Sequence, residues 1–283
     1  MRESNRVVEQ ESKSYRERLA TDGFVVVSSK ENDRPKIQDP TLRPLVSIVT
    51  PFYNPGPQFE DALLEILEVL DSTSIPYEVI AVCDGSTDAS KDVLSKLGVS
   101  TVKDVYHLKR QGKGAALRTG LLLGRGDYLG FIDGDGDIDP SALAAFIGTL
   151  QFYKPDIVLG SKRHPMSKVV YPPLRRIYSM AYQSLIKVLF GLGVKDTQTG
   201  IKLCRREVVE RALPLMVEKR FAFDLELFVV ARRLGYVDFF EAPIVIRERF
   251  SSTISVKAVF YTLIDTLAIF YRERILRFYD RRV

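Results

Sequence analysis

Residues 128–137 read Tyr-Leu-Gly-Phe-Ile-Asp-Gly-Asp-Gly-Asp, an apolar run followed by three aspartates at alternating positions. A short apolar run that is closed by Asp and Gly indicates a buried strand ending in a polar loop. Asp133, Asp135 and Asp137 would repel one another unless a cation lay between them. Because hard divalent cations prefer oxygen ligands, the spacing predicts a Mg²⁺ or Mn²⁺ site at the end of a strand.

Two other interpretations of these aspartates were compared with the metal site. An EF-hand loop is excluded, because Ile138 and Ala144 stand where that loop needs Gly and Glu. A polar turn with helix-capping aspartates suits Asp139, which precedes a helical pattern, but suits Asp133 and Asp135 poorly.

Three more apolar runs of this kind end in Pro, Asp, Gly or Ser. They are Leu45–Thr50, Tyr77–Cys83 and Asp156–Leu159. Helical patterns lie near 58–71, 87–97, 113–124, 140–151, 172–191, 205–217 and 223–234, and a further strand near 237–246. Strands that alternate with helices imply an α/β fold with a parallel sheet and ligands at the carboxyl ends of its strands.

The composition excludes several classes of protein. The 283 residues are 46% hydrophobic and 27% charged, which is enough apolar material for a sizeable core. The net charge of +5 is too weak to imply a nucleic-acid partner, and two cysteines give no disulfide framework. With only two histidines, His107 and His164, the composition argues against a histidine-based zinc site, and we expect structural roles for both. Without a signal peptide or an apolar window of roughly 18 residues, a cytoplasmic location is expected.

Three segments are predicted along the chain. Residues 1–43 form an N-terminal appendage with a short apolar run at Phe24–Val27, and residues 44–254 form the main domain. Residues 255–283 form a helical segment that is apolar up to Phe270 and then basic. This segment is either a core helix with a solvated tail or an amphipathic helix lying on an anionic membrane surface.

A second candidate for ligand binding is Gly112-Lys-Gly-Ala-Ala116, which opens a predicted helix. Backbone N–H groups at a helix start hold anions, and Lys113 adds a positive charge. The alternative is a capped helix with a solvated lysine, and the pattern is not that of a P-loop.

Six motifs in this order resemble those of family 2 glycosyltransferases. They are Val46-Ser-Ile-Val-Thr-Pro51-Phe-Tyr53-Asn54, Cys83-Asp84-Gly-Ser86-Thr-Asp88, Gly112-Lys-Gly-Ala-Ala116, Asp133-Gly-Asp135, Asp196-Thr-Gln198-Thr-Gly200-Ile-Lys202 and Phe223-Asp224-Leu-Glu226-Leu. The last two resemble the dolichyl-phosphate β-glucosyltransferases and dolichyl-phosphate mannose synthases. The resemblance, over residues 45–255, implies the GT-A nucleotide-diphospho-sugar transferase fold. It also implies metal-dependent, inverting transfer of a hexose from a nucleotide sugar to a polyprenyl or dolichyl phosphate.

The resemblance also implies roles for residues at matching positions. For the nucleotide sugar these are Pro51, Tyr53, Asp84, Lys113, Asp133, Lys162 and Arg249, with Asp133, Asp135 and Asp137 around the metal. Lys162 takes the place of a diphosphate-binding arginine, and Arg249 is the late arginine that closes over the diphosphate. Arg175 and Ser179 match a pair that binds the acceptor phosphate. The implied catalytic set is Asp133, Asp135, Lys162, Arg175 and Arg249, at the cytoplasmic face of a membrane.

The sequence departs from the family pattern at three places. Pro55 stands where Glu is common, Cys83 replaces the first Asp of Asp-Asp-Gly-Ser, and Ser251-Ser-Thr253 replaces Gly-Ser-Lys. UDP-glucose is the favoured donor, and GDP-mannose stays open. A soluble or glycan acceptor, and a non-catalytic nucleotide-sugar-binding protein, stay open as well. Asp224 and Glu226 lie either at a solvated helix start or, as the resemblance implies, near the acceptor or the sugar.

Overall fold

The computed structural model describes residues 24–27, 43–56, 58–169, 173–247 and 256–280. The chain forms two compact units, Met1–Asp135 and Gly136–Val283. Within the predicted appendage, Phe24–Val27 forms a strand. Apart from this strand and Arg43, residues 1–43 lie outside the described residues.

The first unit is built on five strands with helices between them. The strands are β1 Phe24–Val27, β2 Val46–Phe52, β3 Tyr77–Cys83, β4 Val102–His107 and β5 Tyr128–Ile132. The helices are α1 Gln58–Ser72, α2 Ser90–Leu97 and α3 Lys113–Leu123. The strand order is β1-β4-β3-β2-β5, and only β1 runs antiparallel to its neighbour. Every residue of β2 and β3 is buried, as expected for central strands of a parallel sheet.

The second unit contains five shorter strands and most of the helical residues. The strands are β6 Ile157–Gly160, β7 Lys168–Val169, β8 Ile201–Arg205, β9 Phe239–Ala242 and β10 Val245–Ile246. The helices are α4 Ala142–Tyr153, α5 Pro173–Phe190, α6 Arg206–Ala212, α7 Phe223–Arg233 and α8 Val256–Phe270, followed by a π-helical turn at Tyr271–Ile275. Strand β6 pairs with β8 in antiparallel and with β9 in parallel orientation, and β7 pairs with β10.

Several predicted elements need correction in the second unit. The strand near 237–246 is two strands, β9 and β10, separated by Pro243, which has no N–H to donate to a ladder. The helix near 205–217 ends at Ala212 and continues as a 3₁₀ turn that contains Pro214. Strand β8 was not predicted, because its residues were interpreted only as part of a family motif.

The structure contradicts the core-helix interpretation of the C-terminal segment. Val259, Phe260, Leu263, Ile264 and Leu267 of α8 are 37–60% exposed, and we call these five residues the apolar face of α8. None of the described helices is long and apolar enough to cross a membrane.

Polar residues take the inward side of α8 instead. Asp265 pairs with Arg220, and its Oδ2 accepts a hydrogen bond from Nε at 3.1 Å. The hydroxyls of Thr266 and Tyr182 lie 2.7 Å apart, and Thr266 is fully buried. The inward side of α8 therefore carries buried Asp265 and Thr266 beside the buried Ile269, whereas its outward side is apolar.

The basic tail after α8 is not simply solvated. Arg272 forms an ion pair with Glu218, and the Tyr279 hydroxyl donates a hydrogen bond to Glu226 Oε1 at 2.7 Å. Tyr279 is 1% exposed. The segment after α8 is therefore part of the packed second unit.

A close contact between α3 and β2 depends on the absence of a side chain at Gly120. A Cβ atom there would lie 2.3 Å from Val49 Cγ1, far inside van der Waals contact. Gly148 in α4 provides the contrast, since a Cβ atom there would meet nothing within 4 Å.

We predict that Gly120→Ala lowers the free energy of unfolding by ~1–3 kcal/mol, because the added methyl group overpacks the contact with Val49. The control Gly148→Ala removes a flexible residue from an open helical site and should be neutral or stabilising by about 0.5–1 kcal/mol. Urea unfolding of both variants measures the difference. Equal effects of the two substitutions would contradict the packing described for α3.

Candidate active site

The carboxylate of Asp84 connects three segments at the carboxyl end of the first unit's sheet. Asp84 follows β3 and is buried. Its Oδ1 accepts hydrogen bonds from His107 Nδ1 and from the backbone N–H of Gln111, each at 2.8 Å. Its Oδ2 accepts the backbone N–H of Gly112, also at 2.8 Å. One side chain thus joins the end of β3 to the end of β4 and to the turn that opens α3.

His107 carries this network into α3. It is the last residue of β4, and its Nε2 lies 3.0 Å from the Thr119 hydroxyl. Thr119 also contacts the carbonyl of Ala115 at 3.1 Å. The structural role expected for His107 is therefore confirmed.

Together, the hydrogen bonds to Asp84 have a larger effect on its pKa than its burial has. Burial by itself raises the pKa of the Asp84 carboxyl, but the hydrogen bonds from His107, Gln111 and Gly112 bring the pKa below its ordinary value. Both oxygens already accept hydrogen bonds from the protein. The contacts show Asp84 holding the loop before α3, and a direct contact with a nucleotide stays a prediction.

The loops after β2, β3 and β4 contact one another. Gly85 has φ +72°, and a Cβ atom there would lie 2.5 Å from the backbone nitrogen of Arg110. The Arg110 guanidinium lies over the Tyr53 ring, 4.0 Å from its centroid. Asn54 Oδ1 accepts the N–H of Thr87 at 2.8 Å. Tyr53 is thus exposed on an ordered loop, as a nucleotide contact requires.

Lys113 and Asp133 form an ion pair within the first unit. The Nζ of Lys113 lies 2.7 Å from Asp133 Oδ1 and 2.8 Å from Oδ2. Lys113 is the first residue of α3, and its paired side chain is only 18% exposed, so the interpretation as a solvated lysine is wrong. The predicted anion-binding lysine therefore lies beside a predicted metal ligand.

The close approach of chain segments fixes the Asp133–Asp135 turn. A Cβ atom at Gly134 would lie 2.9 Å from Thr50 Oγ1 and 3.0 Å from the carbonyl of Pro51. Pro51 itself is buried in β2, where its carbonyl lies next to this turn. The side chain of Asp135 is exposed. Glycine at 134 thus brings the aspartates against the end of β2.

Asp133 and Asp135 fit a divalent cation as a pair of carboxylate ligands, but not as part of a larger cluster of protein ligands within the described part of the chain. Among the residues described, no group of three or more His, Cys, Asp and Glu side chains could hold a metal ion. Mg²⁺ is commonly bound by one or two carboxylates together with substrate phosphates, and Asp133 with Asp135 fits that donor set. The backbone carbonyl of Asp137 accepts the N–H of Arg247 at 2.8 Å. A third carboxylate ligand stays a prediction.

In the second unit, Asp196 holds the predicted diphosphate-binding residue. Asp196 Oδ2 accepts the backbone N–H of Lys162 at 3.0 Å and the Thr199 hydroxyl at 2.7 Å. The Nζ of Lys162 lies 3.5 Å from the same oxygen. Asp196 Oδ1 accepts the N–H of Gln198 at 3.2 Å. The Asp-Thr-Gln-Thr-Gly motif thus folds around one buried carboxylate.

Helix α5 lies against both the Lys162 loop and this motif. Arg163 Nη2 donates to the carbonyl of Ser179 at 3.0 Å, and Gln183 Nε2 donates to Thr197 Oγ1 at 3.4 Å. Ser179, a predicted acceptor-phosphate ligand, is therefore brought next to the Lys162–Arg163 loop. Arg175 lies one turn earlier in α5, and Arg249 lies outside the described residues.

Asp224 and Glu226 are buried rather than solvated. Lys202, with no exposed surface, places its Nζ 2.5 Å from Asp224 Oδ1 and 2.6 Å from the carbonyl of Thr199. Glu226 Oε2 accepts the backbone N–H of Glu218 at 2.8 Å. The solvated-helix interpretation is therefore wrong for both acids.

Sequence reasoning had assigned no role to Asp196 or Lys202. A charged residue within the apolar stretch Ile201–Cys204 was the available signal, since a buried lysine requires a partner. His164 has a local role, accepting the N–H of Met166 at 3.2 Å in the turn after β6.

Known proteins match both sequence and fold. A family model described as Glycosyl transferase family 2 matches residues 47–213. A dolichyl-phosphate beta-glucosyltransferase of Trichomonas vaginalis is 31% identical over 262 residues, covering 88% of this chain and 80% of that one. A dolichyl-phosphate beta-glucosyltransferase of Dictyostelium discoideum is 28% identical over 205 residues, covering 67% of this chain and 63% of its own length.

Among solved structures, a glucosyl-3-phosphoglycerate synthase from Mycobacterium tuberculosis shares the fold. That enzyme was crystallised with Mn²⁺, UDP-glucose and phosphoglyceric acid. The TM-score is 0.59 at 18% identity, over 87% of each chain. The predicted GT-A fold is thereby confirmed.

We predict that Asp84→Asn lowers the free energy of unfolding by ~1–3 kcal/mol near neutral pH, because buried N–H groups lose a charged acceptor. The pKa of Asp84 is lower in the folded protein than in the unfolded chain. Its contribution to stability is therefore present above about pH 4 and is lost as the pH falls through the folded-state value. Urea unfolding from acidic to neutral pH measures this dependence.

Asp104 is a control of opposite sign. Burial raises the pKa of Asp104 to about 6, so its contribution to stability is lost as the pH rises through that value. Asp104→Asn should stabilise the protein above about pH 6 and have little effect near pH 4. A pH-independent effect of Asp84→Asn would contradict the role of its carboxylate.

Proposed function

The chain belongs to glycosyl transferase family 2, and from this premise we propose that it transfers a hexose from a nucleotide sugar to dolichyl phosphate. UDP-glucose is the favoured donor, because the most similar relatives named above are dolichyl-phosphate beta-glucosyltransferases. The observation that carries the proposal is the contact of the Lys162–Arg163 loop with Ser179 in α5. It brings a cation suited to a diphosphate next to a helix suited to an acceptor phosphate.

The donor site is proposed from the residues for which the family resemblance implies a role. Asp133 and Asp135 would hold Mg²⁺ or Mn²⁺, which supplies charge stabilisation for the leaving diphosphate. Lys113 lies beside Asp133 and adds positive charge there. Tyr53 offers an exposed aromatic ring for the base. Lys162 is the proposed diphosphate ligand of the second unit, and Arg249 is proposed to close over the same group.

The acceptor needs positioning more than deprotonation. A lipid phosphate is anionic at neutral pH, so its oxygen can attack the anomeric carbon without a general base. Arg175 and Ser179 are four residues apart in α5, the spacing that places two residues on the same side of a helix. The absence of a histidine base is consistent with this chemistry, since His107 is buried between Asp84 and Thr119.

The proposed reaction exchanges one bond for another at the sugar. The acceptor phosphate oxygen forms a bond to the anomeric carbon while the bond from that carbon to the diphosphate oxygen breaks. The electron pair leaves with the nucleoside diphosphate, whose charge the lysine ammonium groups would stabilise. Attack from the face opposite the leaving group inverts the anomeric configuration.

The apolar face of α8 supports a membrane surface as the place where this acceptor is met. An exposed apolar helix face with a polar inner side is typical of helices that lie in a membrane interface. Arg274 and Arg277 beyond the helix are exposed and can face anionic head groups. We propose a peripheral association with the cytoplasmic face of a membrane. The contact is made by the apolar face of α8 rather than by the residues after α8 alone.

The reaction is tested with radiolabelled UDP-glucose and GDP-mannose, each with and without dolichyl phosphate. We expect lipid-extractable label only with dolichyl phosphate, greater from UDP-glucose, and abolished by EDTA or by Asp135→Asn. Restoration by Mg²⁺ or Mn²⁺ after EDTA is expected because the carboxylates alone cannot neutralise the diphosphate. Label in a water-soluble product would point to a soluble acceptor, and full activity in EDTA would overturn the metal site.

The membrane surface is tested by co-sedimentation with phosphatidylserine-containing vesicles. The double variant Phe260→Glu, Leu267→Glu should lose binding by roughly tenfold or more for each substitution, because each removes ~1.5–3 kcal/mol of apolar burial. Phe152→Glu is the matched control, since Phe152 is 85% exposed on α4. Equal sedimentation of the α8 variant and the control would exclude α8 as the contact surface.

A further inference from the structure

The cluster around Asp196 carries an inference that rests on the proposed function. We propose that Asp196 is a positioning residue that aims the Lys162 ammonium at the donor diphosphate. The cluster comprises Lys162, Asp196, Thr199, Lys202 and Asp224, all in the second unit.

Asp196 holds Lys162 at two points without using up its donors. The backbone N–H of Lys162 donates to Asp196 Oδ2 at 3.0 Å, which fixes the start of the side chain. The ammonium lies 3.5 Å from the same oxygen, the distance of an ion pair rather than of a short hydrogen bond. A lysine has three ammonium donors, so Lys162 remains able to bind a phosphate while paired. The side chain of Lys162 is 15% exposed, so it is not fully enclosed by the protein.

The carboxylate itself is immobilised by its other partners. Thr199 donates its hydroxyl to Asp196 Oδ2 at 2.7 Å, and Gln198 donates its N–H to Oδ1 at 3.2 Å. Asp196 is 3% exposed, so water does not compete for these positions. Because the Asp196 carboxylate is fixed, it can fix the position of the Lys162 ammonium. Such fixed charges are what is meant by a preorganised active site.

A second buried pair fixes the loop from the other side. Lys202 donates to the carbonyl of Thr199 at 2.6 Å and pairs with Asp224 at the start of α7. Burying two opposite charges has a desolvation cost that packing of apolar residues would avoid. The pair fixes the backbone of Thr199, whose hydroxyl in turn holds the Asp196 carboxylate beside Lys162.

Lys162 is the proposed diphosphate ligand, so UDP and UMP, which differ by one phosphate, are the informative probes. We measure their binding by calorimetry with Mg²⁺ present, for the wild type, Lys162→Ala, Asp196→Asn and the double variant. Lys162→Ala should lose roughly 10- to 150-fold in UDP affinity, the range for a charged hydrogen bond. Asp196→Asn should lose about tenfold in UDP affinity with UMP affinity unchanged. In the Lys162→Ala background, Asp196→Asn should change neither.

Asp156→Asn is the matched control, because Asp156 is also a buried acid but lies just before β6, at the end of that strand opposite to Lys162. Asp156 pairs with Arg205, so its substitution should lower the stability of the second unit and leave both affinities unchanged. Thr199→Val removes one hydrogen bond to Asp196 and keeps the charge, and it should lower UDP affinity by about threefold. This variant decides the question if Asp196→Asn does not fold.

The outcomes separate the inference from the proposed function. If wild-type protein binds UDP no better than UMP, and GDP no better than GMP, the proposed function is overturned and the inference with it. If the wild type prefers the diphosphate but Asp196→Asn leaves that preference intact, only the inference is overturned. Equal losses of UDP and UMP affinity, or full additivity with Lys162→Ala, would reduce Asp196 to a structural residue and overturn it as well.

Discussion

The buried carboxylate of Asp84 is the contact on which the loops of the first unit depend. It accepts hydrogen bonds from His107, Gln111 and Gly112, which belong to the end of β4 and the start of α3. A neutral group could not satisfy these donors as well, because hydrogen bonds to a charged acceptor are the stronger ones. The position of Lys113, one residue beyond this turn, follows from that carboxylate.

In the second unit, buried ion pairs fix the corresponding loops. Asp196 accepts a hydrogen bond from the backbone of the Lys162 loop. The ion pair of Lys202 with Asp224 stabilises the motif to which Asp196 belongs. Tyr279 extends this arrangement to the C-terminus through its hydrogen bond to Glu226. Removing the residues after α8 would therefore unpack the second unit, and membrane contact is better tested on the exposed side of α8.

The strands and most helices could be predicted because their patterns are local. The pairing of Asp84 with His107 could not, since it depends on which strands become neighbours across 23 positions of sequence. Which side of α8 faces the protein could not be predicted either. It depends on Arg220 and Tyr182, which contact Asp265 and Thr266 from other segments of the chain. Motif resemblance identified the family, but it gave no partner for any buried charge.

Proton nuclear magnetic resonance of the lipid product is the most direct test of the central claim, which is inverting transfer to a lipid phosphate. UDP-glucose carries its glucose in the α configuration, so attack by the phosphate of dolichyl phosphate must give a β-linked glucosyl phosphate. The account predicts an anomeric proton with the large coupling to H2 that is typical of a β-glucoside, together with coupling to phosphorus. An α-linked product, or free glucose without a lipid-linked sugar, would contradict it.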